Sequence, residues 1–492
     1  MFAHNGYWLH PTQLSTFFST RQEAKLENTD RYFFHTEEAN QIINGNKFYV
    51  IGRKGSGKTA IGQYISNLPR TSNKNYNVFV EKLSFKNFPF NKLYSWEDKG
   101  YTAPNQYITI WKYVIYVCIC RMMSKNENIN EATRETLSKV FAQDPIDSLK
   151  KSAQDRVVTG GSIQLLGVGA SIQVTYSPER DGQSWIDRTQ VLEDIIREYI
   201  DEAEYYVIFD ELDEDFRDFD SKQEARQYIN LLTSLFKSVQ DVKSVFRDKD
   251  TNGLKPIIFL RDDIYALVKD SDKNKWGDFS IYLDWDESKI KRMLAHRISN
   301  SISNNTIVLS FDEAWETIFS KRKIKYGTRQ TRQTHMFKFI TESTHIRPRD
   351  YIRYLQVCSE KAIEEQSNEI TPEIVKRVDK AFSNYLKDEI VDEIYAQLPD
   401  ITTILSIISQ IRKQIFTIKE FKQHYDSYLK MGTIKERNVD KVLQTLFNFS
   451  VIGNRPRNRT VSFFRFNNSE ARFNFNENII VHRGLFKALQ IL

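Results

Sequence analysis

The stretch FYVIGRKGSGKTAIGQYI, residues 48–65, decides the fold. The segment 47–51 reads as a buried strand, glycines interleaved with cations follow, and Lys58 to Asn67 reads as a helix. Gly52, four residues, then Gly57, Lys58 and Thr59 is the spacing of a phosphate cradle. Such a turn lines a phosphate with backbone N–H groups at the positive end of the following helix. In this reading Gly52, Arg53, Lys54, Gly55, Ser56, Gly57, Lys58, Thr59 and Ala60 bind the nucleotide. Lys58 places a point charge on the β and γ phosphates, and the Thr59 hydroxyl ligates Mg2+. The competing reading is a glycine turn with a chance Lys-Thr. The strand before the motif and the amphipathic stretch after it weigh against that.

A cradle needs an acidic partner for the metal at the end of another buried strand. YYVIFDELDEDF (205–216) supplies one, with apolar and aromatic residues running into Asp210. Asp210 then belongs to the Mg2+ shell, and Glu211 orients or polarises the attacking water. An acidic helix start is the alternative, since carboxylates favour the positive end of the dipole. Asp213 and Glu214 are further candidates for the catalytic carboxylate. The next strand, PIIFLR (256–261), ends in Arg261, which either faces the γ-phosphate and senses its loss or pairs with Asp262 or Asp263. Arg347 and Arg349 open a later helix, from which they reach the nucleotide or stay solvated around Pro348.

Around these motifs strands alternate with helices: strand 77–83, helix 105–123, helix 187–202, helix 221–240, strand 279–285 and helix 286–300. That rhythm implies α/β architecture with a parallel sheet covered on both faces. TGGSIQLLGVGASIQVTY (159–176) alternates apolar and polar residues and predicts a β-hairpin within an insertion at about 124–185. From 311 to 395 only helical periodicity remains, with RPRD (347–350) opening one helix and Thr371-Pro372 another. Three short helices then precede SVIGNRPRNRTVSFFRF (450–466), read as two β runs joined by a basic loop, the pattern of a winged helix. The expected domains are a P-loop core over 1–305, a helical lid over 306–397 and a winged helix over 398–492.

A chain of 492 residues exceeds the growth limit of one hydrophobic core, so several domains are expected. Three cysteines match no disulfide framework or zinc spacing and suit a reducing cytosol. The first residues lack the pattern of a signal peptide. YITIWKYVIYVCIC (107–120) falls short of the about 18 to 20 apolar residues that span a bilayer, and Lys112 interrupts it. A cytoplasmic location without membrane contact is the expectation. Net charge is +6 overall, but residues 400–492 carry +8 and the remainder −2. A basic C-terminal module on a near-neutral body is a reason to consider duplex DNA, with Arg455, Arg457 and Arg459 of NRPRNR as contacts.

With these positions in hand the chain resembles the additional-strand P-loop ATPases, the class that holds the AAA+ and STAND groups. IGRKGSGKTAI, VIFDELDED and IIFLRDDIY look like the phosphate loop, the acidic strand and the strand-end arginine of STAND-like switches. LDWDESKIKRMLAHRI and IRPRDYIRYL look like the elements that join such a core to its lid. The tail FRFNNSEARFNFNENIIVHRGLFKAL resembles the end of a bacterial P-loop ATPase family in which a winged helix follows the lid. The resemblance implies sheet order 5-1-4-3-2 with nucleotide at the C-terminal strand ends. It also implies a switch that self-assembles and, in a defence-type system, works through a separate effector or sensor chain against phage. Glu211 stands where many STAND proteins have glycine, which favours AAA+-like hydrolysis.

Three functions compete at this point. The first is an ATP-driven switch that binds and hydrolyses ATP with Mg2+. The second is a DNA-acting ATPase of the replication-initiator or transposition-helper type. The third, a small-molecule kinase, fits poorly with a large lid and a winged helix. No Asn-Lys-x-Asp guanine reader is found, which favours ATP.

Overall fold

The structure is a computed structural model that describes residues 29–71, 78–85, 105–141, 185–213, 222–246, 253–303, 308–327, 330–457 and 461–491. Most of the expected insertion, including its hairpin at 159–176, lies outside the described residues, as do Glu214 and Arg459. Two compact units divide the chain. One comprises His35–Arg53 with Lys58–Leu283, and the other Lys54–Gly57 with Asp284–Leu492 and the residues up to Phe34.

The first unit is built on five strands: β1 (Tyr49–Ile51), β2 (Val78–Ser84), β3 (Glu204–Asp210), β4 (Leu254–Leu260) and β5 (Ser280–Tyr282). All neighbours pair in parallel, and the order β2-β3-β4-β1-β5 is the expected 5-1-4-3-2. Every residue of β1 and β4 is buried, without alternation, as in strands covered on both faces. Helix α1 (Lys58–Thr71) follows β1, α2 (Ile108–Met123) follows β2, and α3 (Trp185–Tyr199) precedes β3. Helix α4 (Lys222–Val245) follows β3, and the short α5 (Asp262–Leu267) follows β4.

Strand alternation sorts the helices between two faces. Phe209 stacks edge-on against Trp111 of α2, whose indole N–H donates to Leu231 O of α4 at 2.9 Å. Tyr49 OH donates to Phe236 O of α4 at 2.7 Å, so α2 and α4 share that face. Lys82 and Phe259 point the other way, toward Gly62 of α1. A Cβ on Gly62 would meet the Phe259 ring at 3.1 Å, which explains a glycine inside this helix. Helix α2 is the apolar segment considered above, and among the described residues no helix is long and apolar enough to cross a membrane.

In the second unit α6 (Glu287–Ser303) leads to α7 (Phe311–Glu316), a hairpin of β6 (Ile324–Tyr326) and β7 (Arg332–Thr334), and α8 (Met336–Thr341). Two long helices follow, α9 (Pro348–Glu364) and α10 (Pro372–Ile394), each with proline in its first turn as expected. Thr371 caps α10 by accepting from the Ile374 N–H at 3.4 Å. The β6–β7 hairpin departs from the expectation of helices alone.

The C-terminal part runs α11 (Ile401–Ile411), β8 (Ile415–Phe416), α12 (Ile418–Lys430), α13 (Val439–Asn448), β9 (Ile452–Arg455) and β10 (Asn478–Val481). Its antiparallel sheet has order β8-β10-β9, which with three helices makes a winged helix. Thr417 and Glu420 form a reciprocal capping box that starts α12. The second run expected after β9 contributes only the bridge Asn454–Phe463, and the full partner is β10. Lys441 lies on α13, whereas Lys435 and Arg437 lie in the loop before it.

Candidate functional site

In the first unit, β1 gives way to the glycine loop at the C-terminal edge of the parallel sheet. Gly55 and Gly57 have φ of 79° and 102°, a region open to glycine and unfavourable to other residues. An added Cβ on Gly57 would find open space, so it is backbone conformation rather than crowding that selects glycine there. Lys58 opens α1, and its ammonium donates to Gly52 O at 2.6 Å and Arg53 O at 3.0 Å. Burial lowers its pKa. Asp213, Asp262 and Asp210 oppose that shift, and Arg261 adds to it.

Asp210 ends β3 and is buried, and its Oδ1 accepts from the Glu211 N–H at 3.0 Å. Its Oδ2 lies 2.9 Å from Nζ of Lys82, an ion pair rather than an aligned hydrogen bond. Glu211 takes a left-handed conformation with φ of 59°, and its carboxylate accepts from the Ser84 hydroxyl at the end of β2. Arg261 is buried just past β4 and grips Asp263 through Nε at 2.9 Å and Nη2 at 2.7 Å. Asp213 lies 3.6 Å from its Nη1. The pairing alternative for Arg261 is therefore realised through Asp263. Asp213 faces Arg261, while Glu211 contacts Ser84.

The second unit contains Lys54–Gly57 and the start of α9. Arg347 is only 2% exposed, so it is not solvated around Pro348. Its Nε donates to both Asp350 oxygens at 3.2 Å, and Nη1 donates to Glu393 at 2.7 Å and to Lys54 O at 3.2 Å. Burial opposes the charge, but Asp350 and Glu393 outweigh it and push the pKa well up. Asp350 also accepts from the His345 N–H at 2.9 Å, tying down a turn in which Ile346 has φ of 52°. A β-branched residue in that region is strained by about 1–2 kcal/mol. Arg349 packs against Gly55, where an added Cβ would come within 3.1 Å of it, and donates to Glu389 at 3.2 Å. The Trp285 indole N–H donates to Ser56 O at 2.8 Å.

The glycine loop suits a bound nucleotide phosphate. The Ser56 hydroxyl is buried in the loop with no hydrogen-bond partner, and two glycines hold the loop in left-handed turns. Thr59 at the start of α1 and Asp210 at the end of β3 are the oxygen donors that would hold Mg2+. Sequence reasoning missed Lys82, Ser84, Trp285, Asp350, Glu389 and Glu393. A lysine in the apolar run NVFVEKL was the available signal for Lys82. Nothing local marks the carboxylates of α10, because they look like an ordinary solvated helix face.

The FunZ-associated C-terminal helical domain matches residues 288–391, from α6 into α10. No curated protein matches the chain. Among solved structures it is similar to Cdc6p of Pyrobaculum aerophilum, at 10% identity and TM-score 0.34 over 97% of this chain and 96% of that one. The ORC2 protein of Aeropyrum pernix, in ADPNP–ADP complexes, matches at 12% identity and TM-score 0.39 over 92% and 89%. The ORC1 protein of the same organism, in complex with DNA, matches at 11% and 0.37 over 97% and 91%. At such values the likeness is loose, and the parallel sheet and glycine loop stand on the chain's own geometry.

Proposed function

We propose that the chain is an ATP-binding and ATP-hydrolysing molecular switch of the AAA+/STAND type. It assembles with copies of itself and acts with a separate effector or sensor protein in bacterial defence against phage. The observation that carries the nucleotide reading is the glycine loop itself, with its buried partnerless Ser56 hydroxyl and Lys58 at the start of α1. The quoted motif order, from phosphate loop to winged helix, supports the switch. The core (1–305) holds the nucleotide, the lid (306–397) responds to it, and the winged helix (398–492) passes the change on.

Lys58 balances phosphate charge, and the loop N–H groups orient the phosphates for in-line attack. Thr59 and Asp210 would hold the metal, which when bound would neutralise charge developing on the phosphate oxygens. Glu211, steadied by Ser84, aligns the attacking water and accepts its proton. Arg261 exchanges part of its hold on Asp263 for the γ-phosphate and so distinguishes ATP from ADP. Glu211→Gln is expected to retain ATP while turnover drops by about a hundredfold or more. Phosphate release assays on parent and variant test this. Normal turnover in Glu211→Gln, with loss in Asp213→Asn or Glu214→Gln, moves the base along the chain.

A second reading, contact with duplex DNA, has one observation in its favour. The C-terminal helices and sheet form a winged helix, and Arg457 is exposed on the connection after β9.

A further inference from the structure

Glu389 of α10 holds two cations that flank the tip of the glycine loop. Its Oε2 lies 3.4 Å from the Lys54 ammonium and accepts from Arg349 Nη1 at 3.2 Å. Lys54 precedes Gly55 in the chain, and Arg349 packs on Gly55 from α9. All three side chains are mostly buried, with exposures of 21%, 29% and 19% for Lys54, Arg349 and Glu389. One turn before Glu389 on the same helix, the Tyr385 hydroxyl is buried with no hydrogen-bond partner. Burial raises its pKa, with the Asp350 and Glu389 carboxylates adding to the shift and Arg347 and Arg349 opposing it. A single carboxylate oxygen shared by two cations beside a left-handed glycine is the arrangement a phosphate oxygen would also satisfy.

We infer that Glu389 is an internal competitor for the nucleotide's phosphates, occupying Lys54 and Arg349 until a phosphate takes them over. This rests on the nucleotide reading of the glycine loop. Glu393, one turn further along α10, has a different task, because it binds Arg347 together with Asp350. Arg347 therefore has both of its carboxylates whatever Glu389 does, and it anchors α9 through the Lys54 carbonyl. Arg349, whose carboxylate partner among the described residues is Glu389, is the lid arginine that changes partner. Capture of Lys54 and Arg349 by phosphate releases Glu389 and frees α10 from the loop tip.

The test measures equilibrium binding of Mg·ATP to the full chain, comparing the parent with Glu389→Gln, Arg349→Gln, the double variant and Lys58→Ala. Removing a competing partly exposed ion pair should tighten ATP binding by about two- to fivefold in Glu389→Gln. The gain should shrink in the Arg349→Gln background, because one of the contested cations is gone. Thermal melting without nucleotide checks that each variant is folded. Loss of binding in Lys58→Ala with unchanged or weaker binding in Glu389→Gln overturns the competitor role and leaves the nucleotide site standing. Parent-like binding in Lys58→Ala removes the site, and the inference falls with it.

Discussion

Glu211 pays for its position in backbone conformation, since φ of 59° is a region that glycine adopts freely and glutamate does not. A glutamate held there needs a compensating contact or function, whereas a glycine would not. Glu211→Gly should therefore match or exceed the stability of Glu211→Gln by about 1 kcal/mol while both lose turnover. Urea denaturation midpoints of the two variants check it, and a clearly less stable glycine variant would mean that the carboxylate contact with Ser84 outweighs the strain. Lys58, Thr59 and the glycines were legible because a phosphate loop is written in consecutive residues. Lys82 was not, because its pairing with Asp210 depends on the register Lys82–Ile208 and Ser84–Asp210 between β2 and β3. Glu389 and Glu393 depend on the rotational phase of α10, which the run of charges on that helix does not reveal.

Elements with a strong period were read correctly, and the exceptions have physical causes. β6 and β7 are three residues each, polar and largely exposed, so no alternation announces them. β10 was missed because NIIV is short, whereas VSFFRF is longer and nearer to β9. The wing therefore returns to the sheet later than expected, and Arg455 donates to Ser462 at 3.0 Å within it. If the wing binds duplex DNA, replacing Arg455, Arg457 and Arg459 by glutamine should flatten the slope of log affinity against log salt by up to about 2.7. Binding should weaken alike across sequences, since phosphate contacts position a protein and do not read bases. Titrations at several salt concentrations measure both effects. Undetectable binding by the parent at low salt rules out the DNA reading.

For the whole molecule, composition and periodicity led only as far as a parallel α/β class with further domains. The strand order came from the resemblance, and the pairing of β1 with β4 and β5 bears it out. The register of the central strands then brings the ends of β1, β3 and β4 side by side, which places Gly52, Asp210 and Arg261 on one edge of the sheet. The charge asymmetry describes a chemical difference between the C-terminal module and the rest without saying what that module binds. The central claim is that residues 52–60 seat the phosphates of ATP, and every later step depends on it. The most direct measurement is the affinity of the full chain for Mg·ATP before and after Lys58→Ala. The parent should bind saturably and the variant at least about thirtyfold more weakly, the loss expected when a desolvated charge partner is removed. Equal affinity in a folded Lys58→Ala protein would contradict it.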